Sequence, residues 1–307
     1  MEMNFTIIVP HYNTPLLLGR LINSIPKRDD LELIIVDDHS DSRLVDFEHF
    51  PGANRENVTI VRNQDNHGAG FCRNTAIPMA KGKWVLFADS DDFFNDGFDD
   101  FLSRYVDSTV DVIYFSANSV DSETYEPSNR ADHIHEYMKK YSRDRVVGGL
   151  TLRYMFTETV CKMVKRELLH NNAISFDVTS IHEDVKFACS VGHYAKEILV
   201  VNEELYCITS RNDSVSRTMS RKVYLDELLV FAKWNKFLTD NHLPFDLPKF
   251  DYRLYNMTRH LYKDNGLFCD ELKILRKAGY DFRFIFVQIV KNLWKSVGYK
   301  WNALIKR

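Results

Sequence analysis

Apolar and polar positions along the first hundred residues fall into short runs that alternate between two periods. Phe5–Val9 is an apolar, β-branched run closed by Pro10, and Leu31–Val36, Val58–Val61 and Lys83–Ala88 are of the same kind. Each predicts a buried strand. Between them, Pro15–Ile25 carries Leu16, Leu17, Leu18, Leu21, Ile22 and Ile25 at helical spacing. Gly70–Ala80 reads as a helix whose last turn Pro78 would strain. Val110–Phe115 predicts a fifth strand. Strands separated by helices imply βαβ units, hence an α/β fold with a mostly parallel sheet flanked by helices.

The pattern weakens from Asn118 to Gly149, a polar and charged stretch that includes Asp132-His133-Ile134-His135-Glu136. It reads as a long loop region or irregular helices near an acceptor site, or as a solvated insertion. His133 and His135 read as surface histidines rather than metal ligands. Glu197–Thr209 looks strand-like. From Arg221 the chain turns helical over Tyr224–Leu238, Tyr252–Tyr262 and Asp270–Ala278. The last segment, Phe282–Arg307, sets Phe286, Ile289, Leu293, Trp294 and Trp301 among Arg283, Lys291, Lys295 and Lys300. Such a helix suits an anionic membrane surface. A terminal helix packed on the domain with a solvated basic side accounts for it equally.

Composition narrows the classes. The net charge of -3 gives no global attraction to nucleic acid. The five cysteines are odd in number, widely spaced and without a C-x-x-C pair. They indicate neither a zinc site nor a disulfide framework, and fit a reducing, cytoplasmic setting. The N-terminus has no basic region ahead of its short apolar run and does not read as a signal peptide. No stretch approaches the roughly 18 apolar residues that a membrane-spanning helix needs. The expectation is a soluble or peripheral protein.

In a parallel sheet, ligands bind beyond the carboxyl ends of the strands, and polar clusters sit there. Pro10-His11-Tyr12-Asn13 follows the first strand, Asp37-Asp38-His39-Ser40 the second, and Asp89-Ser90-Asp91-Asp92 the fourth. Carboxylates at a strand end can hold a hard divalent cation, Mn²⁺ or Mg²⁺. That cation would bridge a nucleotide diphosphate and stabilise the charge growing on it as a glycosidic bond breaks. Taken alone, such a loop is more often a cap or a solvated turn. A carboxylate of the Asp37-Asp38 block can accept from a base N–H or cap a helix. In Asn66-His67-Gly68-Ala69-Gly70-Phe71-Cys72-Arg73-Asn74 the glycines let the backbone approach a ligand, and Arg73 adds a fixed cation. This is neither a P-loop nor the G-x-G-x-x-G fingerprint, which disfavours a dehydrogenase. Glu183-Asp184 opens a helix, where one carboxylate can deprotonate an acceptor hydroxyl or both can answer the helix dipole.

Together these blocks resemble the family 2 glycosyltransferases, which have the Rossmann-like GT-A fold. Thr6-Ile-Ile-Val-Pro-His-Tyr-Asn13, Ile35-Val-Asp-Asp-His-Ser-Asp41, the run from Asn66 to Asp92 ending in a D-x-D, and Glu183-Asp184 match in order. The resemblance covers residues 4–218. It implies a catalytic domain over 1–220 with a helical C-terminal extension over 221–307. It also implies an inverting, non-processive transfer from a nucleotide sugar, with UDP the expected nucleotide, to a hydroxyl of a glycan or lipid-linked acceptor in bacterial surface polysaccharide synthesis. Pro10, Tyr12 and Asp38 would hold the base, and Arg73 would sit near the base or diphosphate. Asp89 would approach the ribose and the metal, with Asp91 as principal ligand of Mn²⁺ or Mg²⁺. Asp184 would be the catalytic base, supported by Glu183. Arg211, in a segment resembling the family's Tyr-Arg-x-x-x-Ser-x-Ser, would neutralise the leaving diphosphate. The location implied is the cytoplasm or the inner face of the cell membrane.

There are departures from the pattern. His39 stands where the family has Gly, Cys72 where Ala is common, and the Gln-x-x-Arg-Trp motif of processive synthases is missing. The competing reading is a nucleotide-sugar or glycan-binding module without activity. An aspartyl-phosphate phosphatase is disfavoured, because its D-x-D normally lies on the first strand.

Overall fold

In β1 (Phe5–His11) and β2 (Leu31–Asp37) all seven residues are buried. This explains their continuous apolar runs, since a parallel strand is covered on both faces. The polar exceptions are satisfied internally. Thr6 Oγ1 donates to Glu32 Oε1 at 2.6 Å and accepts from Gly82 N at 2.9 Å, while Lys81 N donates to Glu32 Oε1 at 2.6 Å. The structure is a computed structural model that describes residues 2–211 and 220–305, with side chains of the terminal helix as far as Trp294.

The remaining strands are β3 (Val58–Arg62), β4 (Trp84–Phe87), β5 (Phe93–Phe94), β6 (Val112–Asp121), β7 (Lys162–Lys165) and β8 (Ile198–Ser210). One mixed sheet has the order β3-β2-β1-β4-β7-β6-β8-β5. The half β3-β2-β1-β4 is parallel throughout. β7 then runs antiparallel between β4 and β6, β8 is parallel to β6, and β5 is antiparallel to β8. The chain winds outward from β1 through β2 and β3, then returns to place β4 on β1's other side. That reversal opens a crevice beyond the carboxyl ends of β1 and β4, where ligands of open α/β sheets bind.

Helices α1 (Pro15–Ser24), α2 (Ala69–Ala76), α3 (Phe98–Tyr105), α4 (Asp132–Arg143), α5 (Arg145–Tyr154), α6 (Arg166–Asn171) and α7 (Asp184–Tyr194) flank the sheet. α2 stops at Ala76 and continues as a 3₁₀ turn over Ile77–Met79, because Pro78 cannot donate to the ladder. The stretch 118–149 is not a long loop. β6 runs on to Asp121, and α4 and α5 are regular helices. α4 buries only Ile134 and Met138, one turn apart, so its apolar stripe is too narrow to stand out in the sequence.

Contacts divide the chain into two compact units. The first holds the sheet, up to Thr179 and from Glu183 to Arg211; the second holds Ser180–His182 and the described residues from Ser220 onward. The second unit consists of α8 (Arg221–Asp240), α9 (Pro248–Lys263), α10 (Asn265–Lys277) and α11 (Phe282–Ile305). Its core includes Leu228, Phe231, Phe250, Leu254, Met257 and Leu275. Glu271 is fully buried and accepts from Tyr224 Oη at 2.5 Å, with His260 Nδ1 at 2.9 Å. Among the described residues, no helix is long and apolar enough to cross a membrane.

Candidate active site

The turns after β1 and β2 are locked to each other. Thr14 N donates to His11 Nε2 at 3.2 Å, which leaves Nδ1 to donate to Asp37 Oδ1 at 2.8 Å. Ser40 adds its hydroxyl to Asp37 at 2.6 Å and its N–H at 3.0 Å. Burial raises the Asp37 carboxyl, but the bonds from His11 and Ser40 outweigh it and hold it below the usual range. Asn13 N donates to Ser40 Oγ, and Asp41 N to Asn13 Oδ1, both at 2.8 Å. Asn13 (φ 56) and His39 (φ 63) both take the left-handed conformation. Pro10 is buried in β1, whereas the Tyr12 side chain beside this lock is 49% exposed. Sequence reasoning missed the pairing of His11 with Asp37, because a histidine at a strand end carries no partner signal.

Asp38 is buried and turned toward the loop after β3. It accepts from Asn63 Nδ2 at 2.8 Å, His67 N at 3.0 Å and Gly68 N at 2.6 Å. It therefore anchors the glycine-containing loop that leads into α2.

Arg73, on α2, is buried with its guanidinium divided between two acids. Nη2 donates to Asp89 Oδ1 at 2.6 Å, Nη1 donates to Glu183 Oε1 at 2.9 Å, and Phe176 covers the group at 5.2 Å. The loop after β4 thus meets the loop before α7.

The acidic loop itself is shaped by β8. Asp89 N donates to Tyr206 Oη at 2.9 Å. Asp92 is buried and accepts from Thr209 N at 2.7 Å. The Asp91 carbonyl accepts from Thr209 Oγ1 at 2.7 Å and from Arg20 of α1. The Asp91 carboxylate is paired with Arg211 Nη2 at 2.5 Å. Burial and the neighbouring Asp89 raise the Asp91 carboxyl, and Arg211 opposes them. Asp92 is raised well above the usual range by burial, then by Asp91 and Asp89. Tyr206, Thr209 and Arg20 have no signal in the sequence, where they read as ordinary strand and helix positions.

Asp184 is the first residue of α7 and half-buried. Burial, then the charges of Glu183 and Glu158, push its carboxyl up to about 8 against the pull of Arg73 and Lys162. Lys162 on β7 is buried, and burial pulls its ammonium down to about 8 in spite of Glu158. His133 Nε2 lies 2.7 Å from Glu158 Oε1, and His135 Nε2 lies 3.1 Å from Glu204. The segment Asn212–Arg217, part of the family-like block that begins at Arg211, lies outside the described residues.

Among the described residues, no group of three or more His, Cys, Asp or Glu side chains forms a ready metal centre. Asp89 and Asp91 nonetheless supply hard oxygen donors, and their mutual repulsion is of the kind a cation relieves. Their chemistry fits Mn²⁺ or Mg²⁺ if the remaining ligands come from a bound diphosphate and water.

Residues 6–172 match glycosyl transferase family 2, and the chain belongs to that family. The poly(ribitol-phosphate) β-N-acetylglucosaminyltransferase TarS of Staphylococcus aureus is 28% identical over 219 residues, covering 69% of this chain and 36% of that protein. The chain therefore spans little more than a third of the length of this curated relative. The structure of TarS 1–349 in complex with UDP-GlcNAc superimposes with a TM-score of 0.63 at 22% identity, covering 94% of this chain and 89% of that one. The mannosyltransferase PcManGT of Pyrobaculum calidifontis, solved with GDP-Man and Mn²⁺, gives 0.50 at 16% identity, covering 96% and 88%. The GT-A-like sheet flanked by helices and the helical C-terminal region are those expected from the sequence, with the difference that β7 and β5 run antiparallel to their neighbours and make the sheet mixed.

Proposed function

We propose that the chain is an inverting glycosyltransferase that moves a sugar from a UDP-sugar to a hydroxyl of a glycan or lipid-linked acceptor in bacterial surface polysaccharide synthesis. The observation that carries this reading is the bridging of Asp89 and Glu183 by Arg73, with Asp91 held by Arg211 and the charge of Asp184 reaching Arg73, in a chain of this family. TarS acts on poly(ribitol-phosphate) and has been solved with UDP-GlcNAc, which supports a UDP-linked donor and a polyol or glycan acceptor.

In this reading Pro10 and the exposed Tyr12 face the nucleotide base. Asp38 shapes the base site through the loop it anchors. Asp89 and Asp91 would hold Mn²⁺ or Mg²⁺, which when bound would offset the charge of the diphosphate. Arg211 neutralises the leaving diphosphate, and Arg73 keeps Asp89 and Glu183 in register. Asp184 takes the proton of the acceptor hydroxyl as its oxygen attacks the anomeric carbon opposite the diphosphate, and no covalent intermediate forms. A carboxyl held near 8 is a stronger proton acceptor once ionised than an ordinary one.

α11 exposes Phe282, Phe286 and Trp294 at 69%, 67% and 75%. We assign this face to the anionic inner surface of the cell membrane. Phe286→Ser with Trp294→Ser then weakens sedimentation with phosphatidylglycerol vesicles; undiminished sedimentation removes the assignment.

The deciding experiment is a donor screen by thermal stabilisation and slow hydrolysis, with Mn²⁺ or Mg²⁺ present. A UDP-sugar should stabilise the protein only with metal, and Asp91→Ala should abolish the effect. If stabilisation occurs without any turnover, the inactive binding-module reading takes its place.

A further inference from the structure

β4 and β7 pair antiparallel with Leu86 across from Met163, so the next register position sets Phe87 against Lys162. The start of β7 therefore lies at the end of β4 that leads into Asp89–Asp92. The connection from α5 into β7, residues 155–161, opens at that same edge. α7 packs over it, with Phe187 against Phe87 at 5.1 Å. Asp184 precedes Phe187 by three positions and so shares its face of the helix.

The short connection is held by specific contacts. Lys162 Nζ donates to the Glu158 carbonyl and lies 3.6 Å from the Phe156 ring centre. His133 of α4 approaches from the other side, its Nε2 2.7 Å from Glu158 Oε1 without a well-aligned hydrogen bond. Cys161 takes a left-handed φ of 62, a conformation that non-glycine residues adopt only when their surroundings impose it. Within this frame Glu158 Oε2 and Thr159 Oγ1 are both shielded from solvent and have no hydrogen-bond partner. A carboxylate oxygen and a hydroxyl left unpaired in this way destabilise the empty fold, and a ligand that satisfies them recovers that energy.

We propose that Glu158 and Thr159 form the acceptor subsite, binding hydroxyls adjacent to the one that reacts; the inference rests on the transferase reading above. The ligand class is a polyol or a sugar ring with vicinal hydroxyls. A carboxylate accepts hydrogen bonds from such hydroxyls and repels a phosphodiester, so the phosphate of an anionic polymer lies elsewhere. His133 and Lys162 are positioning residues that fix the loop. The charge of Glu158 also reaches Asp184, as expected of groups that flank one acceptor.

The test uses the full chain with a UDP-sugar and an acceptor panel of ribitol-phosphate oligomers and octyl glycosides with their deoxy analogues. Glu158→Ala should raise the acceptor KM about tenfold, with Glu158→Gln in between, while the Kd for UDP stays within twofold as a check on the fold. Removing the acceptor hydroxyl next to the reacting one should lower kcat/KM for the wild type and have no further effect in Glu158→Ala, the coupling expected of a direct contact. An unchanged acceptor KM, or additive effects of the two changes, overturns the subsite while leaving the transferase intact. Absence of transfer by the wild type to every acceptor overturns the transferase reading and the subsite with it.

Discussion

Arg73 donates to Glu183 at 2.9 Å across 110 residues of sequence, and the same guanidinium holds Asp89 at 2.6 Å. A planar fork can grip two carboxylates at a fixed separation, and an ammonium cannot. Arg73→Lys should therefore lower kcat about 100-fold through misplacement alone. It should also cost about 2–3 kcal/mol of stability in urea unfolding, since a buried pair loses its geometry. Wild-type kcat in Arg73→Lys would show that the bridge does not set the site.

The Asp184 carboxyl, about 8 in the fold against an ordinary 3.8, gives a pH signature. Between those values the native state keeps a proton that the unfolded chain has released, so this group's contribution to stability falls as pH rises from about 4 to about 8. Asp184→Asn should be inactive and yet melt at a higher temperature than wild type at pH 8, with the difference vanishing near pH 4. Wild-type kcat/KM should climb toward pH 8 as the base ionises. Equal melting curves at both pH values would place the Asp184 carboxyl in the ordinary range.

His39 holds φ 63 with its side chain exposed, where the family pattern has glycine. His39→Gly should stabilise the protein by about 0.5–1 kcal/mol, because glycine adopts this region without the clash at Cβ. His39→Val should destabilise it. Denaturant midpoints of the three proteins decide the order.

Gly70 lies where α2 passes the loop before α7. A Cβ there would sit 2.3 Å from Asp177 O and 3.0 Å from Glu183 Cβ. Backbone cannot yield as a flexible side chain does, so Gly70→Ala should cost about 2 kcal/mol and reduce kcat by shifting Glu183. A variant with normal stability and normal kcat would contradict this packing.

The strands that frame the crevice are legible because burial on both faces writes itself as apolar runs at β1, β2 and β4, broken only by Thr6 and Glu32 within Phe5–Val9 and Leu31–Val36. β7 is not, since Lys162-Met-Val-Lys165 has a lysine at each end and the burial of Lys162 depends on Phe156 and the Glu158 carbonyl. The acidic loop is visible as a cluster, but its members are indistinguishable in sequence. Distant partners set their carboxylates apart: Thr209 N bonds Asp92, Arg211 pairs with Asp91 and Arg73 with Asp89. The bond from Arg73 to Glu183 is equally long-range. Local spacing thus finds the acids, and tertiary partners decide what each one faces.

Those partners also set an order in time. Asp89, Asp92 and Asp91 are bound by Tyr206, Thr209 and Arg211, which lie 117, 117 and 120 residues later. A nascent chain that has emerged only as far as Asp92 already displays every acid of the loop, with Arg20 and Arg73 to hold it, but none of the bonds from Tyr206, Thr209 and Arg211. The loop's final shape must wait for β8 to leave the ribosome and join the sheet. The geometry around the acids is therefore completed late in synthesis.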